Sequence, residues 1–173
     1  MSNAAQVLVR LGRTEEAVPL LLKAVALNPQ RWTYRFNLAR AYATLGQWDG
    51  AVEEYRSASR LFPNDYATLF NLGQALHRTG KEENAIAEYQ KAIELAPAEP
   101  TFHLALALSQ EKLGRTAEAL AAYRRALELQ PDAPDGDKVR AHVKELEAAA
   151  SAPGQSPEPQ VLPTQVGEKQ APA

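Results

Sequence analysis

Cysteine is absent from the chain. Disulfide staples, thiolate metal sites and a cysteine nucleophile are therefore excluded. No staple is needed either, because about 150 ordered residues bury roughly 70% of the surface that their unfolded chain exposes. An excess of one charge is also lacking. The 19 Lys and Arg residues nearly balance 21 Asp and Glu, leaving a net charge of −2 and no electrostatic case for nucleic acid. Long apolar runs are missing, and no stretch approaches the ~20 residues needed to cross a bilayer. Met1 to Gly12 shows no basic segment followed by an apolar run, so it does not read as a secretion signal. A cytoplasmic location is the resulting expectation. Histidine is scarce: His77, His103 and His142 fall at no ligand spacing, so neither a metal nor a cofactor is expected.

What the chain does have is a period. Pro29, Pro63, Pro97 and Pro131 stand 34 residues apart. The same spacing holds for Gly12, Gly46, Gly80 and Gly114, and for Ala17, Ala51, Ala85 and Ala119. It holds again for Ala24, Ala58, Ala92 and Ala126, and for Leu27, Leu61, Leu95 and Leu129. Each unit reads as two helices. From Trp32 to Leu45, the residues Phe36, Leu38, Ala41, Tyr42 and Leu45 recur at helical spacing. Gly46 permits a left-handed C-terminal cap there. A second helix runs from about Asp49 to Leu61 with Val52, Tyr55, Ala58 and Leu61 on one face, and Pro63 follows where a helix cannot continue. Ala51 and Ala58 let the two helices approach closely. One such pair cannot bury its apolar face alone, so stacked copies are required.

These residues resemble the tetratricopeptide repeat family, whose period is 34 residues. The best copy carries Asn71-Leu72-Gly73, Gly80, Ala85, Tyr89, Ala92 and Pro97; the neighbouring copies repeat the marks as Leu38, Tyr42, Gly46, Ala51, Tyr55, Ala58 and Pro63, and as Leu106, Gly114, Ala119, Tyr123, Ala126 and Pro131. Arg35 and His103 replace the usual large residue early in the first helix, and Ala39 and Ala107 replace the glycine two turns in. The resemblance implies an all-α, right-handed superhelical solenoid of antiparallel helix pairs. The expected division is a truncated first repeat at 1–31, repeats at 32–65, 66–99 and 100–133, a capping helix at 134–150 and a disordered Pro-rich tail at 151–173. Seven repeat helices, the short first one included, plus a closing helix are expected. The closing helix is read at Asp135 to Ala150, with Val139, Val143 and Leu146 on one face. Five prolines in the tail leave too little apolar surface to offset its ordering entropy.

The first copy is incomplete, and Val7, Leu8 and Leu11 are left needing a partner. The short helix closing the stack itself, sequence further upstream, and a second subunit are all compatible with the residues.

No catalytic constellation emerges. Glu15-Glu16, Glu53-Glu54 and Glu82-Glu83 are adjacent carboxylates, which point about 100° apart on a helix and do not face one bond. Near a helix start they suit the dipole. The expectation is a non-enzymatic adaptor that binds a protein or an extended peptide. In the family resembled, the first helix of each unit lines a concave groove. Matching positions there give the stripes Phe36, Phe70 and Leu104; Asn37 and Asn71; Gln6, Arg40, Gln74 and Leu108; and Arg10, Thr44, Arg78 and Lys112. The candidate groove residues are Phe36, Asn37, Arg40, Phe70, Asn71, Gln74, Arg78, Leu104 and Lys112. A carboxamide both donates to and accepts from one peptide unit, and the Asn array resembles the asparagine ladder of O-linked N-acetylglucosamine transferases. The first-helix segments carry five basic residues against one acidic, and the second-helix segments nine against eleven, so an acidic partner is favoured. The carboxylate clamp of chaperone-binding relatives matches at one position in five, so chaperone tails are not expected partners. The alternative function is a structural subunit or spacer that packs, or self-associates, through the open N-terminal end.

Overall fold

The computed structural model describes residues 2–151, with side chains from Ala4 onward. It is all helical among these residues. The helices are α1 (Ser2–Arg10), α2 (Thr14–Leu27), α3 (Trp32–Thr44), α4 (Trp48–Leu61), α5 (Tyr66–Arg78), α6 (Glu82–Leu95), α7 (Pro100–Lys112), α8 (Thr116–Leu129) and α9 (Gly136–Ser151). The expected count of seven repeat helices, the short first one included, is thus one short: each of the four copies forms both of its helices, giving eight before α9. Each helix packs on its neighbours in chain order, as a solenoid requires.

Periodic residues set the helix ends. Gly12, Gly46, Gly80 and Gly114 all have φ between 72° and 75°. In this left-handed cap, the amides of Arg13, Gln47, Lys81 and Arg115 each reach back to a first-helix carbonyl at 2.9 Å. The second helices stop at Asn28, Phe62, Ala96 and Gln130, each directly before a proline and each with φ near −140° and ψ near 80°. Steric clash with the proline ring excludes helical geometry at that position.

The core follows the same register. Ala17, Ala51, Ala85 and Ala119 are fully buried, and the continuous cluster from Ala39 to Val143 runs through Tyr55, Leu72, Tyr89, Leu106 and Tyr123. Arg35, where the pattern expects bulk, instead bonds Glu54 and the carbonyl of Pro29. His103 lies 3.2 Å from the equivalent carbonyl of Pro97. At the far end α9 lays Val139, Val143 and Leu146 on this core, as its amphipathic pattern anticipates. Ser151, read as the start of the tail, is the last residue of α9; the remainder of the proline-rich segment, 152–173, lies outside the described residues.

The near end is different. Ala41, Ala75 and Ser109 occupy one repeat position, and each is at most 1% exposed. One repeat earlier that position is Val7, 52% exposed, with Leu11 on the same helix 65% exposed. The face of α1 that would carry a preceding unit is therefore open.

Candidate functional site

The expected groove residues divide by what they touch. Phe36, Phe70 and Leu104 are half-buried supports of the core. Phe36 sits edge-on to Trp32 and Tyr55 at 6.1 and 5.6 Å, and Phe70 packs on Phe102 and Tyr89 at 4.6 and 5.8 Å. Leu104 borders Leu127 and Val139 at the junction of α7, α8 and α9. Arg40, Gln74, Arg78 and Lys112 are exposed.

Two clefts form between successive first helices. One, of about 160 Å³ between α1 and α3, brings together Gln6, Arg10, Asn37 and Arg40 over Ala5, Val9 and Leu21. The other, of about 290 Å³, is lined by Gln74, His77 and Arg78 of α5, Ala105 and Leu108 of α7, and Trp48 and Tyr89 from the second helices. The two asparagines are not equivalent. Asn37 lines the first cleft, whereas Asn71 donates its amide N–H to the Ala67 carbonyl of its own helix at 2.7 Å. That bond occupies one of the two amide N–H donors of Asn71 and ties the side chain to its own helix.

Ionic contacts separate the faces further. On the second helices Arg13, Lys91 and Arg125 pair with Glu16, Glu88 and Glu128, and Arg115 and Arg124 reach Glu83 and Glu147. On the first helices Lys112 is neutralised by Glu82 at 2.6 Å. Arg10, Arg40 and Arg78 make no ion pair among the described residues; Arg40 lies over the Phe36 ring at 5.9 Å and Arg78 over Trp48 at 5.6 Å.

Sequence reasoning placed Glu82 with the dipole-favoured carboxylates, yet it is 5% exposed. His77 Nδ1 lies 2.7 Å from its Oε2 and 3.1 Å from Ser109 Oγ. Burial alone would raise this carboxyl; hydrogen bonds from Lys112, His77 and Ser109 together outweigh it and hold the group below the usual carboxylate range. A second node lies one repeat on. Tyr123 donates to Glu111 at 2.8 Å, and His142 of α9 stands 2.9 Å from the same oxygen. Trp48 and Glu82 share one repeat position with Thr14 and Thr116. The break in that row is the sequence signal that would have found both.

A family model described as tetratricopeptide repeat matches residues 3–66, 39–100 and 85–134. The chain belongs to the tetratricopeptide repeat family. Solved structures similar to this tetratricopeptide repeat chain include MamA AMB-1, with 29% identity over 76% of this chain and 72% of that one at a TM-score of 0.71. MamA from Desulfovibrio magneticus RS-1 is 20% identical, covering 87% and 94% at a TM-score of 0.73, and shares the fold. A comparison with curated proteins gives no match. Among the described residues no helix is long and apolar enough to cross a membrane.

Proposed function

We propose that this repeat protein is a non-catalytic adaptor that holds an extended, acidic stretch of another protein along its first-helix face. The observation that carries this reading is the contrast in charge pairing. Most second-helix cations are satisfied within the chain, whereas Arg10, Arg40 and Arg78 project from successive first helices without a carboxylate. All three border clefts that also present amides, Arg10 and Arg40 beside Asn37 and Gln6 in one and Arg78 beside Gln74 in the other. Unpaired guanidinium groups beside amides suit an acidic polypeptide, the cations steering encounter and the amides gripping backbone.

The test is affinity capture of the partner, followed by titration with variants. Arg40→Glu slows association and reduces its salt sensitivity. Asn37→Ala weakens binding by roughly 2- to 12-fold, the effect of one hydrogen bond worth about 0.5–1.5 kcal/mol. Glu53→Lys, exposed on α4, changes neither rate nor affinity. If Glu53→Lys weakens binding and Arg40→Glu does not, the ligand lies on the opposite face.

The open face of α1 favours a second reading, in which the protein is a structural subunit packing through its N-terminal end. Sedimentation of the intact chain decides between them. A dimer that Leu11→Glu converts to a monomer supports packing through α1. A monomer leaves the first-helix face as the working surface.

A further inference from the structure

We infer that the cleft between α5 and α7 reads a two-residue element of the bound peptide, an acidic side chain beside a large apolar one. The inference rests on the first-helix face being the binding surface, and it assigns a ligand chemistry to one place on it.

Two departures from the repeat coincide there. The row Gln6, Arg40, Gln74 and Leu108 is polar until its last member, and Leu108 is 51% exposed. An exposed leucine where its counterparts are amides or a cation leaves apolar area facing a cleft. Ala105 and the largely buried Tyr89 line the same cleft. The second departure is Trp48, which stands where Thr14, Glu82 and Thr116 stand in the other copies, and lines the same cleft.

Charge then selects the neighbour of the apolar side chain. Arg78 and Lys112 hold one repeat position on adjacent helices. Glu82 occupies Lys112, while Arg78 has a ring, Trp48, in place of a carboxylate. The ring contact takes up no carboxylate, so the N–H donors of Arg78 stay open to an incoming one, which a guanidinium can hold in bidentate fashion. The cleft volume of about 290 Å³ is enough for one large side chain and the group beside it. Gln74 on the same rim has an amide for the peptide backbone between them.

The chain contains its own reporter, since it has two tryptophans. Trp48 walls the cleft; Trp32 is stacked on Phe62 at 5.1 Å and lines neither cleft, so it serves as the internal control. The probes are capped hexapeptides, acetyl-GSDLSG-amide and its reversed form acetyl-GSLDSG-amide, with acetyl-GSNLSG-amide and acetyl-GSDASG-amide as comparators. They are titrated into the full chain while the two indole N–H resonances are followed. One of the first two peptides shifts Trp48 and leaves Trp32 in place, and its dissociation constant is lower than that of either comparator by roughly fivefold or more. Arg78→Gln removes the preference for aspartate over asparagine. Leu108→Gln, which restores the amide of the row, removes the preference for leucine over alanine, and the helical circular dichroism of both variants is unchanged. Equal binding of the aspartate and asparagine peptides overturns the inference, as does a Trp48 resonance that stays fixed at millimolar peptide. If Trp48 is fixed while the backbone amides of Asn37 and Asn71 move, the groove reading stands and the cleft assignment fails. If Glu53→Lys instead weakens capture of the natural partner, the groove reading itself has failed.

Discussion

Tyr89→Ala lowers the unfolding free energy by about 3–5 kcal/mol, the range for deleting a large buried ring. Tyr89 is 2% exposed and lies against Phe70, and burial pushes its phenol up from the ordinary value. The ring bridges α5 and α6, so its loss opens a cavity in the middle of the stack, where both neighbouring pairs depend on it. The chain supplies its own control. The same repeat position is Tyr55, Tyr123 and, in the first copy, Leu21, which is 1% exposed. Tyr89→Leu therefore costs much less, under about 1.5 kcal/mol if the site repacks as the Leu21 site does. Gly73 sharpens the test. A Cβ at Gly73 would stand 2.5 Å from the Tyr89 ring, whereas the equivalent positions are Ala5, Ala39 and Ala107. Gly73→Ala is destabilising alone by about 1–3 kcal/mol through overpacking, and close to neutral in the Tyr89→Leu background. Urea unfolding of the two single variants and the double variant reads the coupling. Additive effects would show that the ring moves aside freely and that the close approach stores nothing.

The fold was legible because it is written four times. Period, glycine caps, prolines and small interface residues each depend on a local rule, and copies of a local rule reinforce one another. The tetratricopeptide identity followed from that register, and the α9 cap from the spacing of Val139, Val143 and Leu146. The site was less legible because function lies where copies differ. The Asn row suggested a ladder, but whether Asn71 faces a ligand or its own helix depends on a rotamer that no spacing encodes, and its amide is bonded to Ala67. Lys112 counted as a groove cation, but its charge is cancelled by Glu82, 30 residues away in sequence and on another helix. Counting charges along helices does not show which cations remain unpaired. The helix count failed for a simpler reason: the short first helix was expected, but four copies of a two-helix unit make eight helices, not seven.

Glu82→Ala costs about 1.5–3 kcal/mol at neutral pH, the range for hydrogen bonds to a charged group. A fully buried pair would cost more, but the Lys112 side chain is 53% exposed and can return to water when its partner is removed. Glu83→Ala, one residue along, costs under about 0.5 kcal/mol because its pair with Arg115 is exposed. The pH dependence separates charge from packing. The folded Glu82 carboxyl is held below its ordinary value of 4.5, so its contribution is complete above that value and is lost as pH falls through the folded one. The stability difference between the parent chain and Glu82→Ala is therefore constant near neutrality and shrinks in acid, as pH falls below the ordinary value of 4.5. Glu111, held low in the same direction by His142 and Tyr123, adds a loss of its own in the parent chain, but this is common to both proteins and cancels in the difference. A gap that keeps its size in acid would mean that Glu82 acts through packing, not charge. The same variant has a functional readout. Removing Glu82 releases Lys112, which holds the repeat position of Arg78 on the next first helix, so an acidic partner associates faster with Glu82→Ala, and more so at low salt, even as the stack beneath it is weakened.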